Sequence, residues 1–533
     1  MKKRIMAIVL CVITALLVIA CGDKKNTGPE HSNPQVLTEA GVYPIIKDDY
    51  KGQIRLKIMG ANNAAIDPDW GDNKFFKRME TLTGVGFNFD VFGDDMYTEK
   101  KGLTLSTNKN LPDIFFKANF NNYDEVTYGG KTIRPLNGLI DGYAPNIKKI
   151  LDENPLIKKC ITTTDGNIYS LPTVYLNLPD NTENVMRDFL WINQSWLTQL
   201  NLKMPQTTGE FLAVLRAFKA KCTANNAYPL AIAGLDHLLR IFNFFGLDMY
   251  QYWVQGKDGG GIEFGPTTDK FRTALEFLRT LQKEGLINPN WSSFTAAEMS
   301  ANGGSGDNVY GCFMTAAPQY VVGFTRMTQY VTIDPLTCPG VNDKSFWSAQ
   351  LPVQRGCFSI TATCKYPEVA IRWIDSLYDL GGEYCLWAVI GKQGEEWKWN
   401  ANGTWESTVP SSEYSAVMKK TIIQPGDGMP FAVDEEFWGK QSTPEDLFTR
   451  PERNKQMTHG WVGYPMVYFN KDDLKKMSDL AADIGSYITD FIAKSMSTEG
   501  HIGGKWDDFK KFNRLRLDEY IGILQKSYND FYS

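Results

Sequence analysis

The sequence has no excess of positive charge and very little histidine. Lys and Arg together number 56 against 61 Asp and Glu, which gives a net charge of −5. Without a basic excess a chain does not neutralise a row of phosphates, so nucleic acid is not expected as a partner. No HExxH motif occurs and the histidines are scattered, so a zinc hydrolase lacks its ligands. The four histidines are His31, His237, His459 and His501.

Cysteine pairs with the spacing of metal or redox sites are also absent. Nine cysteines occur among 533 residues and no two form a CxxC motif. The chain is far larger than the disulfide-stapled class, so we expect mostly buried thiols. A disulfide between Cys357 and Cys364 stays open, because sequence does not establish connectivity. The cysteines after Cys21 are Cys160, Cys222, Cys312, Cys338, Cys357, Cys364 and Cys385.

No catalytic or nucleotide-binding motif is complete. Gly130-Lys131-Thr132 resembles the end of a P-loop, but Glu125 stands where that motif needs Gly. Residues 303–307 lack the last Gly of a nucleophile elbow. We therefore predict no catalytic residue, no cofactor and no metal ion. A glycosidase with two facing carboxylates stays open, because acidic residues are plentiful and one sequence does not place them.

Residues 1–20 have the form of an export signal. Three basic residues at positions 2–4 precede an uncharged run at 5–20, which is shorter than the ~20 residues of a bilayer span. The run ends in Val18-Ile19-Ala20-Cys21, the pattern of a bacterial lipobox, so Cys21 is predicted to carry a lipid. A membrane anchor, or an ordinary cleavage site beside a chance Cys, is the alternative. Residues 21–43 are polar and form a predicted flexible tether.

The rest of the chain is long and apolar enough for several folded units. Hydrophobic residues make up 43% of the sequence, and at about 150 residues per domain the length predicts two to four domains or one two-lobed body. Ile54, Leu56 and Ile58 alternate with polar residues, which predicts a strand ending at Gly60. A helical pattern at residues 72–82 and a second alternation at residues 87–91 complete a β-α-β unit and predict a mixed α/β fold.

Later segments add helices. Thr207 and Glu210 form a predicted capping box that opens one helix, and residues 270–284 predict another. Pro367 suits the first turn of a helix that carries Trp373. Apolar stripes at residues 474–492 and 509–531 predict that the chain ends in helices.

Aromatic content is the positive functional signal. The chain has 14 Trp, and 13% of its residues are aromatic. A sugar ring has an apolar face and polar edges, so it stacks on Trp or Tyr while polar side chains bond its hydroxyls. Most tryptophans in a large protein serve packing, and we assign Trp373 and Trp196 to the core. The tryptophans in or beside predicted loops are Trp70, Trp253, Trp291, Trp347, Trp387, Trp397, Trp399, Trp405, Trp438 and Trp461.

From about residue 54 to its end, the chain resembles the family 1 extracellular solute-binding proteins of ABC importers, particularly the long lipoprotein branch associated with oligosaccharides. Each motif is weak alone, and their order carries the resemblance. The motifs are Phe75-Phe76-Lys77-Arg78-Met79-Glu80 with Leu82-Thr83-Gly84-Val85; Leu111-Pro112-Asp113-Ile114-Phe115-Phe116; Pro135-Leu136-Asn137-Gly138-Leu139-Ile140; Tyr143-Ala144-Pro145-Asn146; Asp165-Gly166-Asn167-Ile168-Tyr169-Ser170-Leu171-Pro172; Trp196-Leu197; Pro205-Gln206-Thr207; Pro367-Glu368-Val369-Ala370-Ile371-Arg372-Trp373; and Gln525-Lys526-Ser527-Tyr528.

The resemblance implies a type II periplasmic-binding-protein fold. Two α/β lobes are joined by crossing strands, and a hinge closes the cleft between them around the ligand. Residues 165–172 resemble the approach to the first crossing and residues 333–339 the second. Lobe 1 would comprise residues 44–172 plus 336–400, and lobe 2 residues 173–335 plus 401–533.

The sequence departs from its relatives at two points. Asn193-Gln194-Ser195-Trp196 replaces the usual Arg-Gln-Asp-Trp at the start of the second lobe, so a charge pair is absent. Some relatives have a calcium loop after the helix that matches residues 211–219. Here residues 220–226 carry no carboxylate, and calcium needs several anionic oxygens, so no metal is predicted there.

The resemblance also implies a non-enzymatic function: capture of an oligosaccharide in an aromatic cleft and delivery to the membrane subunits of an ABC permease. Aromatic rings would stack on the sugar, and Asn119 and Arg355 would bond hydroxyls or a carboxylate. Asn119 and Tyr123 follow a predicted strand, and open α/β sheets bind ligands beyond strand carboxyl ends. The acidic body favours a neutral glycan. The predicted cleft residues are Trp70, Asn119, Tyr123, Trp253, Trp347, Arg355, Trp387, Trp438 and Trp461.

The chain is expected to act as a monomer on the outer face of the cell membrane, anchored through Cys21. Two other functions stay open. A lipoprotein that binds peptides or other solutes would share every fold signal and differ only in its cleft. A surface glycoside hydrolase would cleave its ligand.

Overall fold

The computed structural model describes residues 32–257, 259–380, 382–410, 412–424, 428–512 and 515–533. The predicted leader, Cys21 and part of the predicted tether lie outside these residues. Across the described ranges, no helix combines the length and apolar character needed to cross a bilayer.

Sixteen strands are present in the described ranges. They are β1 (Arg55–Asn62), β2 (Gly86–Gly93), β3 (Ile114–Phe116), β4 (Leu171–Leu176), β5 (Phe189–Asn193), β6 (Tyr228–Ala231), β7 (Val254–Gly256), β8 (Ile262–Phe264), β9 (Tyr310–Thr315), β10 (Tyr330–Thr332), β11 (Trp347–Ser348), β12 (Val353–Ile360), β13 (Trp397–Trp399), β14 (Trp405–Ser407), β15 (Ala432–Asp434) and β16 (Gly460–Trp461).

The α-helices of the described ranges include short connecting turns and one long C-terminal helix. They are α1 (Lys74–Thr83), α2 (Asp94–Thr107), α3 (Asn122–Tyr128), α4 (Asn137–Tyr143), α5 (Pro145–Glu153), α6 (Pro155–Ile161), α7 (Gln194–Gln199), α8 (Thr208–Lys219), α9 (Gly234–Arg240), α10 (Asp269–Lys283), α11 (Ala296–Gly304), α12 (Gln319–Val322), α13 (Pro367–Asp375), α14 (Tyr384–Trp387), α15 (Tyr414–Met418), α16 (Glu435–Gly439), α17 (Pro444–Met457), α18 (Lys471–Ser497), α19 (His501–Phe509) and α20 (Leu517–Tyr532).

Lobe 1 is built on a six-stranded sheet with the order β15-β4-β12-β3-β1-β2. β1 pairs in parallel with β2 and β3, and β4 pairs in parallel with β15. β12 runs antiparallel to both β3 and β4. The predicted β-α-β unit is confirmed, because β1, α1 and β2 follow in that order. The Asn73 side chain caps the start of α1, and Gly84 ends the helix in a left-handed conformation.

Lobe 2 is built on a four-stranded sheet with the order β10-β5-β9-β6. β5 is antiparallel to β10 and β9, and β6 is parallel to β9. The predicted capping box is confirmed: Thr207 accepts from the Glu210 backbone N–H, and the Glu210 carboxylate accepts in return. The C-terminal helices complete this lobe, since α18 packs on α10 and α20 packs on α18.

Trp373 and Trp196 lie in the cores, as predicted. Trp373 on α13 is fully buried, and its ring lies 5.0 Å from the ring of Phe87 and 5.7 Å from that of Phe116. Trp196 on α7 meets the Phe218 ring edge to face at 5.3 Å. Each ring is therefore covered by aromatic packing within its own lobe.

The chain passes between the two sheets twice, from β4 to β5 and from β10 to β12. After β15 it returns to lobe 2 only through the C-terminal helices, since α18 packs on α10. The lobe boundaries predicted from sequence remain a proposal. The structure differs from them at β15, because Ala432–Asp434 pairs with β4 in the sheet of lobe 1 although residues 401–533 were expected in lobe 2. This strand has three residues, too few to give a periodic signal of its own.

Candidate functional site

One edge of the lobe 1 sheet gathers the ends of its parallel strands. β1, β3, β4 and β15 all finish there, and the antiparallel β12 starts there. Polar side chains follow directly: Asn63 after β1, Asn119 after β3 and Asn177 after β4. The Asn177 amide donates to Asp434 Oδ1 at 2.8 Å, which ties two neighbouring strand ends together. Carboxyl ends of parallel strands are where open α/β sheets bind ligands.

The corresponding edge of the lobe 2 sheet carries the start of β5 and the ends of β6, β9 and β10. Both long crossings run from this edge to the lobe 1 edge, so the two edges adjoin the same interlobe cleft. Asp188 precedes β5, and His237 lies on α9 after β6. Burial lowers the pKa of His237, whose Nδ1 accepts a hydrogen bond from the Ala233 backbone N–H at 3.3 Å. The imidazole is therefore held neutral near physiological pH.

Two exposed tyrosines lie on opposite lobes. Tyr320 follows β9 and is 63% exposed, while Tyr414 on α15 is 41% exposed. The segment that contains α15 is fixed to lobe 1, because the Asp67 backbone N–H donates to the Lys419 carbonyl at 3.0 Å. Burial raises the pKa of Tyr414, and the electrostatic influence of Asp446 and Tyr320 adds to this rise. Tyr320 and Tyr414 thus lie within electrostatic range of each other with much of their ring surface in solvent.

A buried polar group links the lobes behind the cleft. This interlobe cluster consists of Glu125 on α3, Ser170, Arg355 on β12 and Tyr468. The hydroxyls of Ser170 and Tyr468 donate to the two Glu125 carboxylate oxygens. The Arg355 guanidinium lies 4.1 Å from the centre of the Tyr468 ring and donates to the Val467 carbonyl at 3.1 Å. Burial raises the pKa of Glu125, although Arg355 and both hydroxyls oppose the rise.

A second aromatic feature lies on lobe 1. The β13–β14 hairpin and α16 place four tryptophan rings around Phe437, at centroid distances of 5.1 to 5.7 Å. A cavity of about 170 Å³ opens beside them, which we call the aromatic cavity. The four rings are those of Trp397, Trp399, Trp405 and Trp438. The cavity lining is Leu380, Gly382, Glu383, Cys385, Leu386, Gln393, Trp397, Trp399, Phe431, Ala432, Asp434, Phe437 and Trp438.

Known proteins similar to this chain match nearly all of its length. It is 28% identical over 550 residues to the fructooligosaccharide ABC transporter substrate-binding protein FusA of Streptococcus pneumoniae, covering 98% of this chain and 97% of that protein. The structure of FusA in complex with kestose superimposes with a TM-score of 0.74 at 27% identity, over 90% of this chain and 99% of FusA. A HMO-binding ABC-transporter-associated solute-binding protein from Bifidobacterium longum infantis gives a TM-score of 0.76 at 21% identity, over 90% and 99% of the two chains.

Over nearly its whole length the chain is similar to substrate-binding proteins of ABC transporters. No family model matches it. These similarities confirm the periplasmic-binding-protein fold. They also confirm the prediction of a binding protein rather than an enzyme, since the proteins it resembles are substrate-binding proteins.

Two tryptophans expected in the cleft of this binding protein lie instead in its cores. Trp70 is 1% exposed, and its ring stacks on Phe76 at 5.4 Å. Trp347 is 2% exposed, and its Nε1 donates to Gln456 Oε1 at 3.0 Å. Packing covers both rings, so neither offers a face to a ligand. The expectation for these two residues is corrected accordingly: a loop position in sequence does not make a Trp exposed.

The other predicted tryptophans stand on separate elements of the binding protein. Trp387 is buried on α14 and meets the Tyr384 ring at 5.0 Å. Trp438 lines the aromatic cavity. Trp461 on β16 pairs with Ser348 on β11 in a separate two-stranded sheet. Trp253 adopts a left-handed backbone conformation just before β7. These rings are distributed over both lobes and do not form one continuous surface.

The remaining three predicted residues lie near the lobe 1 edge or in the interlobe cluster. Asn119 is exposed directly after β3, and the Lys101 ammonium donates to its carbonyl at 2.7 Å. Tyr123 on α3 is exposed, with its ring 6.2 Å from that of Tyr128. Arg355 contacts Tyr468 within the protein. Asn119 and Tyr123 are thus both exposed on lobe 1, whereas Arg355 already has partners within the protein.

Sequence reasoning missed Tyr320 and Tyr414. The prediction favoured tryptophans. The rule that placed Asn119 in the site, that binding residues follow strand ends, was not applied to the tyrosines. Tyr320 follows β9 by a few residues, so this signal was available. Tyr414 lies on a short helix far from any predicted strand, and only the fold brings it to the cleft.

Metal-ligating groups are sparse in this binding protein. The described ranges contain no group of three or more His, Cys, Asp or Glu side chains that could hold a metal ion. One solved relative is an EF-hand mutant of FusA in complex with fructo-nystose. For this chain, the absence of calcium at residues 220–226 remains a prediction from the sequence. No disulfide joins Cys357 and Cys364.

Proposed function

We propose that this chain captures a neutral oligosaccharide in the cleft between its lobes and passes it to the permease subunits of an ABC importer. Similarity to FusA over 98% of the chain carries this proposal. The two sheet edges that adjoin the cleft support it. Each ends in exposed polar or aromatic side chains of the kinds that bind sugars.

In the proposed binding mode, aromatic rings grip the sugar faces and amides bond its hydroxyls. Tyr320 and Tyr414 approach from opposite lobes, so closure of the hinge brings both onto one ligand. Asn119 and Tyr123 serve on the lobe 1 edge, with Asn177 at the first crossing. Because Tyr320 and Tyr414 belong to different lobes, ligand binding favours the closed form.

We also propose that Cys21 carries the lipid that holds the protein on the outer face of the membrane, where it acts as a monomer. The lipobox pattern supports this placement, since an acylated N-terminal Cys followed by a polar tether keeps a folded domain near a membrane. The Cys21→Ser variant should appear in the culture medium. Unchanged membrane association of that variant would contradict the anchor.

Calorimetric titration of the protein without residues 1–21 tests the ligand. The panel holds 1-kestose, nystose, oligogalacturonates and tripeptides. A bound ligand at ~100 times its Kd stabilises the folded state by about 2.7 kcal/mol, so a thermal shift checks each hit. We expect binding of a neutral oligosaccharide without cleavage. Binding of tripeptides alone would identify a peptide-binding lipoprotein, and cleaved sugar in the mass spectrum would identify a hydrolase.

Two variants locate the site. Tyr320→Ala and Tyr414→Ala should each weaken oligosaccharide binding about tenfold, since loss of a stacking ring costs roughly 1 kcal/mol or more. Tyr532→Ala is the matched control, because Tyr532 is a similarly exposed tyrosine at the end of α20. Equal affinities for all three variants would place the ligand elsewhere.

A further inference from the structure

The aromatic cavity is not filled by the packing that surrounds it. Protein interiors leave few voids larger than a water molecule, whereas this cavity measures about 170 Å³, several times the roughly 30 Å³ that a water takes in the liquid. Trp399 stands at the cavity with 41% of its surface exposed. An aromatic ring of that size normally hides its faces, so this exposed wall has the character of a binding surface rather than of a core.

The rings around the cavity are held rigidly. Phe437 stacks on Trp405 at 5.1 Å with an interplanar angle of 13°, and Trp399 meets Phe437 nearly edge-on at 5.7 Å. The Trp397 indole N–H donates to the Gly391 carbonyl at 3.1 Å, and the Trp405 indole N–H donates to the Phe437 carbonyl at 3.0 Å. Both indoles are thus fixed by backbone partners. A preorganised aromatic wall costs little ordering entropy when a ligand stacks on it.

The polar part of the lining defines the ligand class. Glu383, Gln393 and Asp434 contribute two carboxylates and one amide, and the described residues that line the cavity include no lysine or arginine. Carboxylates accept hydrogen bonds from hydroxyl groups and repel anions. A ring with an apolar face and several hydroxyls matches this set. The volume lies below the roughly 300–1,000 Å³ of sites for drug-sized ligands, so it suits one ring rather than a chain.

We propose that the aromatic cavity is an accessory saccharide site that holds one neutral sugar unit on lobe 1, beside the interlobe cleft, with Asp434 at the end of β15 between the two. Its described lining residues all lie between Leu380 and Trp438, so occupancy does not require the lobes to close. The choice of a saccharide rests on the proposed function, while the existence of a ring-binding site rests on the cavity alone. An aromatic cage with carboxylates also suits a quaternary ammonium ion, which makes choline the discriminating probe.

The test is 19F NMR of the protein without residues 1–21, labelled with 5-fluorotryptophan, with resonances assigned through single Trp→Phe variants. The probes are D-fructose, sucrose, 1-kestose and choline chloride. We expect a saccharide to shift the Trp399 and Trp438 resonances. Trp399→Ala and Glu383→Gln should each raise about tenfold the saccharide concentration that is needed to shift the Trp438 resonance. Glu383 is exposed, so Glu383→Gln keeps the fold if Trp399→Ala does not. Tyr532→Ala is the control and should leave the titration unchanged.

The cleft variant with both Tyr320→Ala and Tyr414→Ala separates the two sites. If it loses tight oligosaccharide binding but keeps the Trp438 shift, both proposals stand. A Trp438 shift in a protein whose cleft binds no sugar supports the accessory site and overturns the proposed function. If the protein binds the oligosaccharide tightly and the Trp399 and Trp438 resonances do not shift, the accessory site is overturned. A shift with choline but with no saccharide overturns it as well, in favour of an ammonium site.

Discussion

Neutralising Glu125 should change how the stability of this protein depends on pH. Glu125 is 1% exposed on α3 and receives hydrogen bonds from Ser170 and Tyr468. The charges that face it are the Arg355 guanidinium and the neighbouring carboxylate of Asp124; Asp124 is itself paired with Lys101 at 2.8 Å. Glu125→Gln keeps the shape of the side chain and removes its titration.

The direction of the effect follows from the raised pKa. In the unfolded chain Glu125 releases its proton near pH 4.5, while the folded protein retains the proton to higher pH. The folded state is therefore favoured below this pH and loses stability as the pH rises toward the folded pKa. Each unit by which the pKa is raised corresponds to about 1.4 kcal/mol lost across that window. Glu125→Gln should remove this slope.

Urea unfolding at a series of pH values between 4.5 and 8 measures the slope for wild type and Glu125→Gln. Asp375, whose pKa burial raises to about 7, titrates in both proteins and cancels in the difference. Glu284→Gln is the control, because Glu284 is paired with Arg216 and its pKa is lowered. Tyr468→Phe should cost about 1–3 kcal/mol, since it leaves a buried carboxylate oxygen without its donor. Parallel pH profiles for wild type and Glu125→Gln would refute this reasoning.

Three further substitutions address the fold. Gly356→Ala should prevent folding of lobe 1, because a Cβ there would lie 2.0 Å from the Phe120 carbonyl oxygen. Gly52→Ala is the control: Gly52 has the same φ of 74° but open space around it, so this variant should lower the melting temperature only slightly. Thr207→Ala should cost about 1 kcal/mol in urea unfolding through loss of the α8 cap, and an unchanged midpoint would contradict that role. Trp373→Ala should cost about 3–5 kcal/mol by opening a cavity in lobe 1, measured by the circular dichroism melt, and a loss below 1 kcal/mol would show that the site collapses.

Local patterns in the sequence predicted local structure well. The alternation at Ile54, Leu56 and Ile58 gave β1, and the capping box at Thr207 gave the start of α8. Gly60 was expected to end β1, but the strand continues to Asn62. The glycine serves close packing instead, because a Cβ at position 60 would lie 2.3 Å from the Trp70 ring. A sequence alone does not distinguish a turn glycine from one beneath an aromatic ring.

Features formed by distant segments were harder to predict. β15 has three residues and joins the lobe 1 sheet through β4, so its assignment depends on a partner more than 250 positions away. Tyr320 and Tyr414 likewise come within electrostatic range of each other only after both lobes have formed. Trp70 and Trp347 had loop-like neighbours in sequence, but packing decided their burial.

The order of strands along the chain sets which of the two sheets can be completed first. The four strands of the lobe 2 sheet all lie between Phe189 and Thr332, inside one uninterrupted stretch, while the lobe 1 sheet needs both Arg55 and Asp434. During synthesis or emergence from a translocation channel, all strands of the lobe 2 sheet are therefore available well before the last strand of the lobe 1 sheet. The lobe 1 sheet then forms contacts between residues that are very far apart in sequence, and such contacts form slowly. We therefore expect the lobe 2 sheet to form first, while lobe 2 as a whole is completed only when the C-terminal helices α18 and α20 pack on it.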